Sequence, residues 1–456
     1  MIERALERHA TLLFGVSTLL LVAVYLIVGG IYRPANGDDG WSLSFLYQYH
    51  LHGVEHDTVF GNVVPSAGGQ DGVFHFAKIQ SFVYGAILDV AGWTRSAAHA
   101  VSTLLIGASA LIWGIIAQRI TAHRYLSTAL VILLLLSEPL FGPANQSRPE
   151  ALTFFFASAA FALFLYERPF FSGLFIGLAF EVHPAGLFAG LYVASAFLAK
   201  LAKGDVKNQM FSRSTALLVS GVVLSFSLYA LLHIEAIATL RSVALENNQG
   251  TNFLWAYFVN TKYSRHIPEL LFILMTTGLF IAKKHWKEES TLAWLLLGTG
   301  FSLLVFHRGN FHYTLYSYAP LMLTSLWVAA RYKKLFLTFC LCLMFFVAQY
   351  AAVYYLNRLY SFDAYAAKIS KAVPNDGLAV VGTSNDWFIF QERVFYANKY
   401  QPEAFSAVAP SAFYLIQNSS FSKPEFYANI YRTFRCNKLS GFALGGQSVQ
   451  VDRCER

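Results

Sequence analysis

Charge is scarce in this chain. Asp, Glu, Lys and Arg together make up 13% of its 456 residues, while hydrophobic residues make up 56%. A soluble domain has no use for so much apolar surface, because a single core stops growing at roughly 250–300 residues. Cysteine is scarce too: there are 4, and their spacing relative to the histidines matches no zinc-binding pattern. Cys340 and Cys342 fall inside an apolar run and read as inert apolar residues. Cys436 and Cys454 fall in the polar C-terminal stretch, where the sequence predicts a disulfide closing the last strands. An internal repeat is also missing, which argues against the inverted-repeat transporters. The net charge of +8 forms no basic stripe, since Lys and Arg sit in short connectors between apolar runs. That distribution speaks for membrane topology and against a nucleic-acid partner.

What is abundant is apolar sequence in membrane-length pieces. The runs cover residues 11–31, 97–117, 126–141, 151–166, 171–181, 185–199, 215–233, 268–282, 291–306, 313–330 and 335–356. The first is long enough to cross a bilayer core as a helix. The fifth and sixth are short and meet at Val182-His183-Pro184, which reads as a helical hairpin. Phe and Tyr are plentiful, as expected of rings anchored at membrane interfaces. The pattern predicts an all-α polytopic membrane protein of about eleven transmembrane helices (residues 1–356).

Basic residues orient it. Arg4, Arg8, Arg119, Arg124, Arg168, Lys200, Lys203, Lys207, Arg213, Lys283, Lys284, Lys287, Arg331, Lys333 and Lys334 alternate to one side, in short segments. Arg33, Lys78, Arg95, Arg148, Arg241, Lys262, Arg265 and Arg308 fall on the other, in much longer loops. The positive-inside rule then places the N-terminus in the cytoplasm, with loops 32–96 and 234–267 and the tail outside. No small-x-small cleavage site precedes Arg33, so the first run is read as an uncleaved anchor. The tail, residues 357–456, is more polar and carries a strand-like run from Leu378 to Gly382. It predicts a small extracytoplasmic α/β domain.

Adjacent carboxylates, Asp38 and Asp39, follow the first span at the expected outer boundary. Asn-Gly and Asp-Gly are ordinary turn formers, but ionisable groups at that depth are a functional hypothesis by default. The outer turns repeat the signal. One carries Arg148-Pro149-Glu150, another Glu181 and His183, a third His307, Arg308, His312 and Tyr313. The first loop adds Asp57, His75 and Lys78. Taken singly, each has a plain structural reading: Arg148 snorkels, Pro149 starts a helix, and His183 bonds a nearby carbonyl. Taken together, they predict a cavity with carboxylates on one wall and phosphate-binding cations on another.

At these residues the chain resembles the lipid-dependent, C-type glycosyltransferase superfamily. It is most similar to bacterial relatives of protein O-mannosyltransferases and to the lipid A aminoarabinose transferase. The resemblance covers residues 1 to about 330. It rests on Asp38-Asp39 after one span, on Arg148-Pro149-Glu150 before the fourth, and on His307 through Tyr318 leading to Pro320. Two departures stand out: Asp39 replaces the usual Glu, and no His-Pro-Pro element follows Asp57.

The resemblance implies interfacial helices in the first external loop and a polyprenyl-phosphate sugar as donor. It implies Asp38 as general base, with Asp39 orienting the acceptor, holding Asp38 or binding a divalent cation. Lys78, Arg148, His183 and Arg308 become candidate ligands of the donor phosphate. Asp57, His75, Glu150, His307, His312 and Tyr313 become acceptor-facing or accessory residues. The acceptor would be a glycan, lipid or protein, within a bed of membrane lipids. A transporter or flippase for a lipid-linked or anionic substrate, and an O-antigen ligase or polymerase, are the other readings the residues leave open.

Overall fold

The computed structural model describes residues 15–16, 18–24, 26–27, 37–53, 76–204, 212–234, 267–305, 314–332, 335, 344–345, 347–349, 351–352, 354–398, 405, 409–419 and 424–456. Helices α1 (Gly37–His52) and α2 (Lys78–Ala91) come first and pack on each other. Leu43, Leu46, Tyr84 and Leu88 are buried between them and the bundle, and the Ser81 hydroxyl donates to Leu46 O at 2.8 Å. They lie in the loop for which the resemblance implies interfacial helices.

The bundle proper runs α3 (Arg95–Thr121), α4 (Arg124–Leu136), α5 (Glu138–Ala144), α6 (Glu150–Leu165), α7 (Pro169–Val182), α8 (Leu187–Lys203), α9 (Arg213–Leu232), α10 (Ile267–Ala282), α11 (Ser290–Val305) and α12 (Thr314–Ala329). Local chemistry sets the ends. Thr94 caps α3 by accepting from Ala97 N, and Ser212 caps α9 by accepting from Thr215 N, both at 3.2 Å. Pro169 opens α7, where a missing N–H costs nothing.

Three described helical stretches are long and apolar enough to cross a membrane: Arg95–Thr121, Pro184–Ala202 and Arg213–Leu232. The third run, expected as one span over 126–141, is broken instead. Its two pieces, α4 and α5, meet at Ser137 with a bend of 61°. Pro139 explains the break, since it has no N–H to offer Leu135 O and its ring would crowd that carbonyl, so it is accommodated only in the first turn of a new helix. Ser137 closes the first piece by donating to Leu134 O at 2.7 Å. Other apolar helices are shorter: Glu150–Leu165, Pro169–Val182, Glu269–Ala282 and Ser290–Phe301. The runs 11–31 and 335–356 lie partly outside the described residues.

The expected hairpin is present. Helix α7 turns through a short 3₁₀ segment, Pro184–Gly186, into α8. Helix α9 lies against α7 along a seam of small residues. A Cβ on Gly173 would come within 2.2 Å of Leu218 O, one on Gly177 within 2.0 Å of Ser225 Oγ, and one on Gly221 within 2.1 Å of Phe170 O. The two backbones touch, as small-x-x-x-small pairs allow.

The tail forms the predicted α/β unit. Helix α13 (Phe362–Ala372) precedes strands β1 (Ala379–Gly382), β2 (Phe395–Ala397) and β3 (Ala412–Asn418). Helix α14 (Pro424–Thr433) then leads to the hairpin β4 (Arg435–Leu444) and β5 (Gln447–Glu455). The sheet order is β2-β1-β3-β5-β4, parallel around β1 and antiparallel from β3 onward. Cys436 and Cys454 face each other across the hairpin and are bonded, as expected. Alternation along the strands divides two cores. Val380, Tyr414 and Ile416 join a cluster continuous with the helix bundle through Trp387. Val381, Phe413 and Leu415 pack instead with Phe426, Tyr427 and Ile430 of α14.

Candidate active site

Helix α1 carries Asp38 and Asp39 in its first turn, where the helix dipole favours carboxylates. Asp39 is wholly buried. Its Oδ1 accepts from Ser147 N at 3.1 Å, and the Ser147 hydroxyl donates to its carbonyl oxygen at 2.9 Å. Its Oδ2 lies 3.2 Å from His99 Nε2 and 3.8 Å from Arg95 Nε. Arg95 and His99 stand four residues apart on α3 and so share a face. Burial by itself raises the Asp39 carboxyl, but His99, Arg95 and the Ser147 N–H outweigh it and hold the group below the usual carboxylate range. Asp39 is therefore a fixed anion in a cationic shell. The side chain of Asp38, one residue earlier, lies outside the described residues.

The turn that holds Asp39 continues into Arg148 and Glu150. Arg148 Nη2 donates to Glu150 Oε1 at 2.7 Å, and its Nε lies 3.1 Å from Oε2. Glu150 is fully buried and Arg148 nearly so, a forked pair that fixes the guanidinium plane. Gln80 of α2 reaches the same turn, donating to Ser147 O at 3.5 Å.

Lys78 begins α2 next door. Its backbone N donates to Glu181 Oε1 at 2.9 Å, and the Ile79 N donates to Glu181 Oε2 at 3.1 Å. Glu181 thus caps α2, whose own N-cap residue Ala77 has a left-handed φ of 72° and no capping side chain. His233 Nε2 lies 2.9 Å from Glu181 Oε1. The Lys78 ammonium donates to Leu232 O at 2.6 Å and lies 5.4 Å from the centre of the Tyr49 ring. His183, half-buried, accepts from Ala185 N at 3.1 Å through Nδ1 and caps the 3₁₀ turn.

Five of the residues singled out in the sequence thus gather at one end of the bundle: Asp39, Lys78, Arg148, Glu150 and His183. Asp57, His75, His307, Arg308, His312 and Tyr313 lie outside the described residues. The partners of Asp39 had no such forecast. Arg95 reads in the sequence as a topology charge, and His99 and Ser147 as ordinary helix and turn residues. The i, i+4 spacing of Arg95 and His99 at a span's start was the available signal. Among the described residues, no group of three or more His, Cys, Asp or Glu is placed to hold a metal ion. Asp39 already serves Ser147 and His99 and faces Arg95, a setting that repels a further cation, so no cation is assigned to it.

An apolar helix bundle with a buried carboxylate turn at one end and a C-terminal sheet domain is a fold seen in solved structures. Two crystal structures of ArnT from Cupriavidus metallidurans, a lipid A aminoarabinose transferase, share it. The form bound to undecaprenyl phosphate matches with a TM-score of 0.65 at 11% identity, covering 97% of this chain and 97% of that one. The apo form matches with a TM-score of 0.60 at 12% identity over the same shares. Such low identity establishes the fold alone. No protein-family model matches the sequence, and no curated protein does.

Proposed function

We propose that this protein is a bacterial inner-membrane glycosyltransferase. It moves a sugar from a polyprenyl-phosphate donor to a hydroxyl or amine on an envelope glycan, lipid or protein, at the extracytoplasmic face. The observation that carries the reading is the buried Asp39 with its cationic shell, set beside Lys78 and Arg148, in a fold shared with a transferase crystallised with undecaprenyl phosphate. Basic-residue bias puts the N-terminus in the cytoplasm and this end of the bundle outside.

In the reaction, Asp38 takes the proton from the acceptor as its oxygen or nitrogen attacks the anomeric carbon. The bond from that carbon to the phosphate oxygen breaks, and polyprenyl phosphate leaves with the electron pair. A single displacement inverts the anomeric centre. Asp39, locked by Ser147, His99 and Arg95, keeps the first turn of α1 in place and Asp38 aimed. Lys78, Arg148, His183 and Arg308 serve the leaving phosphate, whose developing charge fixed cations stabilise. No step is routed through a metal.

The test is release of polyprenyl phosphate from labelled polyprenyl-phosphate sugars by purified protein. Asp38→Asn is expected to slow turnover roughly 10²–10⁴-fold, the usual worth of a positioned general base. Undiminished turnover removes Asp38 from the base role. Absence of turnover with every donor, alongside saturable uptake into vesicles, replaces the transferase by a transporter.

A further inference from the structure

The C-terminal sheet domain grips the helix that carries the acid pair. A Cβ on Gly40 would stand 1.7 Å from Ser384 O, so α1 and the 3₁₀ turn Ser384–Ile389 meet backbone to backbone. Two helical turns further on, Tyr47 donates to Glu392 at 3.1 Å and meets the Trp387 ring edge-on at 5.5 Å. Gln391 donates to Trp93 O at 2.5 Å, just before α3 begins. Phe362, the first residue of α13, completes the contact: its ring centre lies 5.3 Å from the Arg95 guanidinium carbon and 5.9 Å from the Phe388 ring. Arg95 is 2% exposed and faces Asp39 from its other side. A contiguous line of contacts therefore runs from Phe388 through Phe362 and Arg95 to Asp39.

We propose that the C-terminal domain is a working part of the reaction site, with Phe362 as a positioning residue that holds Arg95 against Asp39 and so sets the acid turn of α1. The inference rests on the transferase reading of this site. Gly40 supplies the second half of the device, because only a residue without a side chain lets the Ser384–Ile389 turn close on α1. The π face of Phe362 acts on a desolvated guanidinium, where such contact is strongest. Phe362 need not touch donor or acceptor for its loss to be felt.

A substitution series separates positioning from simple packing. Phe362→Leu keeps apolar bulk and removes the π face; Phe362→Tyr and Phe362→Trp keep the face. Turnover of labelled polyprenyl-phosphate sugar is measured with KM and kcat resolved, beside wild type and Asp38→Asn. Phe362→Leu is expected to lower kcat roughly 10–100-fold with the donor KM within about twofold, the signature of a displaced reacting group. Phe362→Tyr and Phe362→Trp are expected to restore kcat to within about threefold of wild type. Should Phe362→Leu keep full kcat while Asp38→Asn is dead, the domain is only a cover, and the transferase reading stands. A Phe362→Leu loss that Tyr and Trp fail to rescue also overturns the proposal, since packing alone then accounts for it. If Asp38→Asn turns over like wild type, Asp38 loses the base role; if wild type turns over no donor, it is the transferase reading that falls.

Discussion

Replacing Glu181 with Ala removes the side chain that caps α2 from a neighbouring helix. Three donors lose their acceptor at once: the backbone N–H groups of Lys78 and Ile79, and His233. Lys78 is 4% exposed, His233 1% and Glu181 1%, so water does not replace what is lost. A missing N-cap alone costs about 1 kcal/mol. Removing one member of a buried charged set costs about 3–5 kcal/mol, and the two effects overlap rather than add. We therefore expect Glu181→Ala to lose about 3–5 kcal/mol in a reversible unfolding titration in detergent. Glu181→Gln, which keeps an acceptor oxygen for the N–H pair, is expected to lose roughly half as much. The same change unfastens the start of α2 at Lys78 N, so under the proposed function binding of undecaprenyl phosphate, measured by calorimetry, should weaken at least about tenfold, near 1.4 kcal/mol. The reasoning is refuted if Glu181→Ala unfolds within about 1 kcal/mol of wild type. Unchanged lipid-phosphate affinity would separately detach Lys78 from the clamp.

Further expectations concern the C-terminal domain. Burial pushes the Asp386 carboxyl up to about 6, against hydrogen bonds from Tyr365 and Thr383 that pull it down. Its ordinary value is 3.8, so the folded domain takes up a proton between about pH 4 and 6 that the unfolded chain does not hold. The stability from that proton is full below about pH 4 and lost as pH rises through about 6, on the order of 3 kcal/mol. Asp386→Asn mimics the neutral acid and should exceed wild type in thermal stability near pH 7.5, the gain vanishing near pH 4. An equal difference at both pH values would refute the assignment. The Cys436–Cys454 bridge closes a loop of sequence separation 18. Its removal by paired Ser substitution should cost about 3 kcal/mol of the domain's unfolding free energy, and a cost below about 1 kcal/mol would show that the hairpin holds itself.

Much of this was legible in the chain because its strongest signals are local. The apolar runs at 97–117, 151–166 and 215–233 became α3, α6 and α9 within a few residues. The turn at Val182-His183-Pro184 and the Cys436–Cys454 pair also read directly. The break at Ser137 is local as well, but hydropathy averages across Pro139 and hides it. What stayed hidden was long-range pairing. Nothing near Asp39 in sequence announces Arg95, His99 or Ser147, more than fifty residues away, and the last was passed over for its neighbour Arg148. Likewise Lys78 stands out as a cation, yet the two helix ends that hold it, at Glu181 and Leu232, are found only by folding. Gly40 looked like a turn former; its role is the close approach of Ser384.

The glycine seam between α7 and α9 reaches beyond packing. Those two helices carry Glu181 and Leu232 in their last turns, the pair that grips Lys78 from both sides. Gly173 lies about 12 Å down α7 from Glu181, at 1.5 Å per residue. A methyl group added there, deep among lipid tails, would wedge the two helix ends apart and loosen the grip on a headgroup-level cation. Under the proposed function, affinity for a lipid phosphate therefore depends on the glycines of a helix seam as well as on the cations themselves.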